Sequence, residues 1–285
     1  QLWEQSFDCQ GENWEQGEYA RSVQQTDDGG YILAGYSTCV LMGGGPGIGG
    51  KDGWVIKTDA NGNEEWNNVY GGAEADQIYS VQQTSDGGYI LAGETESFGG
   101  SIENSMWLIK TDSIGDTLWT NTYYDTTCTN CSAYAKAVKQ TSDGGYILTG
   151  GTNLVKTDSL GNEEWFSDIF SYARDVIQTA DGGYVVAGGG IDFKLNKVDS
   201  LGNEVWSHSW DSGGEVDDQG YSVDMTNDGG FILTGFTAPY GESHRDLWLI
   251  KTDSTGTADW KVNYGGDLYD SGWDVEQTGD GNYIV

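Results

Sequence analysis

An all-β fold, and within it a β-propeller of about six four-stranded blades, is predicted by three features of this 285-residue sequence. Composition disfavours helices: 45 Gly, 17 Tyr and 12 Trp stand against 2 Pro and 3 Met. Glycine weakens helix interiors, while aromatic residues suit pleated surfaces. A phrase close to V-Q-Q-T-x-D-G-G-Y-I-L-A-G recurs six times, with its turn aspartate at Asp28, Asp86, Asp143, Asp181, Asp228 and Asp280. A second phrase, close to W-L-I-K-T-D-S-x-G-N-x-x-W, recurs five times. Its turn aspartate falls at Asp59, Asp112, Asp158, Asp199 and Asp253, and its closing tryptophan at Trp66, Trp119, Trp165, Trp206 and Trp260.

Each phrase reads as a β-hairpin. The apolar runs have strand length and strand composition. Asp-Gly-Gly supplies a tight reversal, because glycine tolerates positive φ and aspartate bonds its own backbone. In the first repeat, strand A covers 21–26, B 31–36, C 53–58 and D 64–70. Four short antiparallel strands repeating every few tens of residues make one propeller blade. An isolated sheet of this size cannot bury both faces, whereas blades stacked face to face can. The small residues ending strand B, such as Ala92-Gly93, suit a crowded inner position, and the strand D tryptophan is expected between adjacent blades. Residues 1–285 are thus expected to form a single propeller domain; an open β-solenoid array is the alternative.

The ends of the sequence do not match. Residues 2–7, with Leu2, Trp3 and Phe7, look like a strand D with no A, B or C before it. The last residues, ending Tyr283, Ile284 and Val285, read as a strand A and the start of a B. The expectation is a sixth blade completed by the N-terminal strand and lacking one strand. Either further residues of the chain or a neighbouring molecule would supply that strand, and head-to-tail donation would build a filament.

The formal net charge is −32, from 45 acidic and 13 basic residues. Such a field repels nucleic acid and anionic membranes, so neither is an expected partner. No apolar run approaches the ~20 residues of a membrane helix. The chain opens on Gln1, which fits a processed exported protein as well as a fragment, and an extracellular or cell-surface location is expected. Of four cysteines, Cys128 and Cys131 form C-T-N-C, while Cys9 and Cys39 lie by the first repeat. A zinc site would need two such pairs or added histidines, and His208 and His244 lie far along the chain. Disulfides Cys9–Cys39 and Cys128–Cys131 are therefore expected. Asn130-Cys131-Ser132 fits a glycosylation acceptor.

The A–B and C–D turns share one face, and their near-constant sequences mark them as structural. The D–A and B–C connections share the other face and vary strongly, as binding loops do on a regular scaffold. Several pair aromatic with acidic residues: Tyr70 with Asp76, Trp210 with Asp217 and Asp218, and Tyr264 with Asp267 and Asp270. Oxygen-rich loops are of the kind that holds Ca²⁺, and rings beside carboxylates are of the kind that holds sugars; ordinary polar loops are the plainer alternative. There is no phosphate loop with lysine, no H-E-x-x-H and no G-x-S-x-G, so no catalytic residue and no cofactor are assigned.

The stretches 80–93 (S-V-Q-Q-T-S-D-G-G-Y-I-L-A-G) and 248–253 (W-L-I-K-T-D) resemble a repeat of secreted bacterial and archaeal surface proteins, in which D-G-G-Y-I-L-x-G and W-L-x-K-x-D-x-x-G-x-x-W alternate in propeller-like domains. The resemblance covers nearly the whole chain and is specific for the repeat, not for an activity. The closing-tryptophan hairpin is also similar to that of quinoprotein dehydrogenase propellers, without a cofactor-binding constellation. The function these readings imply is a non-enzymatic extracellular structural, assembly or adhesion module, partnered by its own copies or by other surface proteins and glycans. A carbohydrate-binding propeller is the alternative, ahead of a secreted hydrolase or quinoprotein-like enzyme.

Overall fold

The D-G-G turns close the first hairpins through one repeated device. Thr26 Oγ1 donates to Asp28 Oδ1 (2.6 Å), which also accepts from the Gly30 amide (2.9 Å). Gly29 takes φ +83°, which strains any other residue, and a Cβ at Gly30 would lie 2.1 Å from the Thr58 carbonyl oxygen, so Gly30 leaves no room for a side chain. From strand C, buried Lys57 reaches back to Asp28 and to Glu65, both at 2.8 Å. The Lys57 and Thr26 hydrogen bonds hold the Asp28 carboxyl well below the usual carboxylate range. Lys110–Asp86, Lys197–Asp181 and Lys251–Asp228 repeat the arrangement. The lysine of the second phrase thus ties it to the aspartate of the first.

The structure, a computed structural model, describes residues 3–7, 17–38, 50–99, 104–124, 133–168, 172–213, 218–238 and 244–285. They form five four-stranded sheets and a sixth of two strands, all in chain order, with no helix among them. The first holds β1 (Glu18–Gln25), β2 (Tyr31–Ser37), β3 (Asp52–Thr58) and β4 (Glu64–Tyr70); the second holds β5 (Asp76–Gln83), β6 (Tyr89–Thr95), β7 (Ser105–Thr111) and β8 (Thr117–Tyr123). The third holds β9 (Ala137–Gln140), β10 (Tyr146–Gly150), β11 (Asn153–Thr157) and β12 (Glu163–Ser167). In the fourth are β13 (Ala173–Gln178), β14 (Tyr184–Gly188), β15 (Phe193–Val198) and β16 (Glu204–Trp210); in the fifth β17 (Gln219–Met225), β18 (Phe231–Thr237), β19 (Asp246–Thr252) and β20 (Ala258–Tyr264). The sixth pairs β21 (Glu276–Gln277) with β22 (Tyr283–Ile284), antiparallel.

The chain divides into two compact units, Gln1–Leu148 with Thr157–Glu164, and Thr149–Lys156 with Trp165–Val285. In the first unit, Ile32, Ala34 and Val55 of one sheet share a buried cluster with Tyr89, Leu91, Trp107 and Ile109 of the next. In the second, Val185, Phe193 and Leu195 cluster with Leu233, Trp248 and Ile250. Large side chains of this kind contribute ~1.5–3 kcal/mol each on burial.

Two further devices join successive sheets. Closing tryptophans meet the first aromatic of the next strand B: Trp66 meets Tyr89, Trp119 Tyr146, Trp165 Tyr184, Trp206 Phe231 and Trp260 Tyr283, with ring centroids 5.7–6.2 Å apart. Trp3 meets Tyr31 in the same way, at 5.7 Å. The glutamines of V-Q-Q-T link neighbouring A strands, whose edge amides have no strand partner. The Gln83 amide donates to Gln24 Oε1 and the Gln140 amide to Gln82 Oε1, each at 2.6 Å. Asp224 Oδ2 accepts from the Gln277 amide in the same way (3.1 Å).

Candidate binding surface

The glycine that ends D-G-G-Y-I-L-x-G shapes this surface. A Cβ at Gly35 would lie 1.8 Å from the Tyr19 carbonyl oxygen, and one at Gly93 1.8 Å from that of Gln77. Room for that close approach lets strand A bulge. The register slips between Ala20 and Ser22, between Ile78 and Ser80, between Ala173 and Asp175, and between Gly220 and Ser222. The extra residue at each bulge is left unpaired and turned out of the ladder. These residues are Arg21, Tyr79, Arg174 and Tyr221. Lys136 and Trp273 hold the same position in the remaining repeats, two residues before the valine of the phrase. All six are cationic or aromatic.

In the first unit these side chains meet. Arg21 lies over the rings of Tyr36 (5.5 Å) and Tyr79 (6.0 Å). Lys136 lies over Tyr79 (3.2 Å) and Tyr134 (4.7 Å), and Lys51 over Tyr36 (5.2 Å). Tyr19 stacks on Tyr36 at 4.9 Å and is itself 53% exposed. Buried Glu94 fixes Tyr79 from below, accepting from Tyr79 Oη (2.7 Å), Gln77 Nε2 (2.6 Å) and Asn104 Nδ2 (3.2 Å). Burial, followed by the Glu94 charge, pushes the Tyr79 hydroxyl far above the ordinary tyrosine range. A cavity of about 180 Å³ opens beside Tyr19, lined by Phe7, Leu33, Trp54 and Ile56.

The second unit repeats the pattern. Arg174 lies over Tyr221 (5.4 Å), and Arg245 over Phe236 (4.2 Å). Trp273 stacks on Tyr221, nearly parallel at 2° with 4.4 Å between centroids, and stays 70% exposed. All three arginines of the chain therefore sit on rings in these two clusters.

The residues expected from sequence take varied roles. Tyr70 is buried and donates to the Gly115 carbonyl (2.6 Å). Asp76 is fully buried and braces two loops, accepting from the Gly72 amide (2.8 Å) and Ser97 Oγ (2.6 Å). Asp218 does the same for the Ser212 (2.7 Å) and Ala238 (3.1 Å) amides. Trp210 packs edge-on against Phe193. Tyr264, Asp267 and Asp270 are exposed. Tyr283 is half-buried against Trp260, while Ile284 and Val285 are exposed. Leu2, Asp217, Asn130 and the pairs Cys9–Cys39 and Cys128–Cys131 lie outside the described residues. Among the described residues no three His, Cys, Asp or Glu side chains converge as a metal site requires.

The bulge residues lie inside strand A, away from the variable loops whose paired aromatic and acidic residues mark a binding surface in the sequence. The signal was present as the series Arg, Tyr, Lys, Arg, Tyr, Trp at one repeat position.

No family model matches the chain, and no curated protein matches it. Solved structures do match in fold. A protein of unknown function from Bacteroides caccae aligns with TM-score 0.57 at 14% identity, covering 90% of this chain and 86% of that one. The WD40 β-propeller domain of Doa1 aligns with TM-score 0.51 at 12% identity, covering 94% and 89%. The WD40 domain of Neurospora crassa Pan2 aligns with TM-score 0.58 at 10% identity, covering 87% and 66%. At such identities the likeness establishes a propeller-type fold and carries nothing about ligands or partners.

Proposed function

We propose that the protein is a non-enzymatic extracellular assembly module: a single propeller domain of about six blades, of the D-G-G-Y-I-L-x-G repeat type, that joins its own copies by strand exchange. The observation that carries this reading is the state of residues 3–7. Trp3 packs on Tyr31 as each closing tryptophan packs on its strand B aromatic, yet residues 3–7 belong to none of the sheets among the described residues. A segment held in the place of an outer strand, and in none of the sheets among the described residues, is a template for a partner strand. The apolar cavity between Phe7 and the face of the first sheet offers side-chain space beside it. In this reading residues 2–7 form the outer strand of the sixth blade, and β22 of a neighbouring copy, with Tyr283, Ile284 and Val285, abuts the strand that pairs with it.

Light scattering and negative-stain images of the purified chain at rising concentration test this. Concentration-dependent head-to-tail oligomers that Trp3→Ala weakens are expected; a strict monomer at high concentration overturns the reading.

A second reading, glycan binding, is favoured by the open ring of Trp273 stacked on Tyr221 and flanked by Arg174. Glycan binding and assembly are compatible within one adhesion module.

A further inference from the structure

Two faces that the repeat covers everywhere else stand open. The valine of the V-Q-Q-T phrase is buried at Val81, Val138, Val176, Val223 and Val275, but Val23 is 64% exposed. The second residue of strand B is buried at Ile32, Ile90, Ile147, Val185 and Ile232, but Ile284 is 60% exposed. These two repeat positions meet where one sheet packs on the next: Val81 shares a cluster with Ile32, Val223 with Val185 and Val275 with Ile232. Val23 and Ile284 are the two members of that series without a mate.

Hydrogen bonds set the register of these contacts. Each sheet offers side-chain acceptors to strand A of the next. The Val81 amide donates to Ser22 Oγ (3.3 Å), that of Val138 to Ser80 Oγ (3.2 Å) and that of Val223 to Asp175 Oδ2 (3.0 Å). Two residues on, the acceptors are Gln24, Gln82 and Asp224. A return bond runs from the turn amides of Asp27, Ser85 and Asn227 to Oε1 of Gln83, Gln140 and Gln277 (2.8, 2.9 and 2.8 Å). Among the described residues no side chain accepts from the Val23 or Gln25 amide, and none donates to Glu276. Asp274 and Glu276 hold the two acceptor positions of the sixth sheet. Asp274 Oδ1 accepts from the Val275 amide (3.0 Å) and Ser222 Oγ (2.8 Å). Asp175 likewise gives Oδ1 to the amide of its own valine and Oδ2 to that of the next sheet.

We propose that the open face of the sixth sheet docks on the open face of the first sheet in a second copy of this chain. Ile284 covers Val23, Asp274 Oδ2 accepts from the Val23 amide, Glu276 accepts from the Gln25 amide, and the Gly279 amide donates to Gln25 Oε1. Apolar side chains, donors and acceptors then match as they do between successive sheets of one chain. Both faces are open in the same chain, so every copy offers one of each and the contact runs head to tail. Copies that each carry a net charge of −32 repel at long range, so the association should strengthen as salt screens them.

This inference rests on the assembly reading, and the test separates the two. Sedimentation velocity is run on the purified chain and its variants at low and high salt. Val23→Asp, Ile284→Asp and Glu276→Ala alter exposed side chains, so each should keep the parent melting temperature while weakening association at least tenfold. Glu276→Gln should associate as the parent does, because glutamine is the acceptor at that position in the first two sheets. Val23→Asp and Ile284→Asp, each monomeric alone, should form dimers and nothing larger when mixed, since one intact pair of faces remains. Oligomers that Trp3→Ala weakens but these variants leave intact would retain strand exchange and overturn this contact. A mixture that does not dimerise overturns the second copy as the occupant, and a strictly monomeric parent overturns both readings.

Discussion

Trp66 meets Tyr89 nearly edge to face, with ring centroids 5.7 Å apart and planes at 63°, across the step from one sheet to the next. Trp66 also fills the space over Gly115, where a Cβ would lie 2.8 Å from its ring. Truncation should therefore open a cavity that neither sheet can close alone. Trp66→Ala is expected to cost ~3 kcal/mol in urea denaturation. Trp3 makes the same ring contact but is 42% exposed, so Trp3→Ala is expected to cost ~1 kcal/mol or less of stability. If the two variants lose equal stability, the ring contact alone sets the energy and burial does not.

Gly93 and Gly87 make opposite demands on one repeat. Gly87 has φ +81° and open space for a Cβ, whereas a Cβ at Gly93 would meet the Gln77 carbonyl at 1.8 Å. Gly87→Ala should cost ~1 kcal/mol, through backbone strain. Gly93→Ala should cost ~3 kcal/mol or more, because the bulge itself must be removed or pushed aside. The spectroscopic consequence is separate. Losing the bulge withdraws Tyr79 from Glu94, so one tyrosine hydroxyl that ordinarily resists ionisation should titrate nearer the usual range in an ultraviolet pH titration.

That pair of glycines also shows how far the sequence could be read. The hairpins were legible to within a residue: strands were expected over 31–36 and 64–70, and they run Tyr31–Ser37 and Glu64–Tyr70. Turn chemistry is local, and Asp-Gly-Gly states it outright. Strand A was expected from Arg21 but starts at Glu18, because the bulge carries it past the slip. A bulge is set by a contact between residues that lie far apart in sequence, as Gly93 and Gln77 do. The roles of Asp76 and Asp218 were hidden for the same reason: nothing local distinguishes a carboxylate that braces two loops from one that faces solvent.

Lys110 is buried, and its hydrogen bonds run to Asp86 and to the Thr111 carbonyl. Asp86→Asn would leave that ammonium without its counter-charge and is expected to cost ~3 kcal/mol in chemical denaturation at pH 7. Removing both charges together, as Lys110→Met with Asp86→Asn, should cost less than the single change. In the parent, burial raises the Asp86 carboxyl, but hydrogen bonds from Thr84 and Lys110 outweigh it and hold the pKa at about 2. A depressed carboxyl stabilises the fold above its unfolded value and loses that contribution as pH falls toward 2. Acid unfolding of the Asn variant should accordingly lose part of its pH dependence between about 4 and 2.

Asp52 behaves in the opposite sense. It begins strand C buried, and a single point above Gly71 lies 2.0 Å from Asp52 Oδ1 and 3.0 Å from Asp76 Oδ2. Burial first, and then the charge of Asp76, raise the Asp52 pKa to about 6. For a raised carboxyl, ionisation favours the unfolded chain: its full contribution is present below the ordinary value near 4 and is lost as pH climbs through 6. At ~1.4 kcal/mol per pKa unit the loss is at most ~3 kcal/mol. Asp52→Asn removes the charge and keeps the shape, so it should stabilise the protein by ~1–3 kcal/mol at pH 7 and by almost nothing at pH 4. Asp76→Asn should do the reverse at pH 7, because it disrupts the acceptors that hold Gly72 and Ser97. Urea denaturation of both variants and the parent at pH 4, 5.5 and 7 checks this. A stability gain in Asp52→Asn that does not change with pH would show that burial and the Asp76 charge do not raise the Asp52 carboxyl.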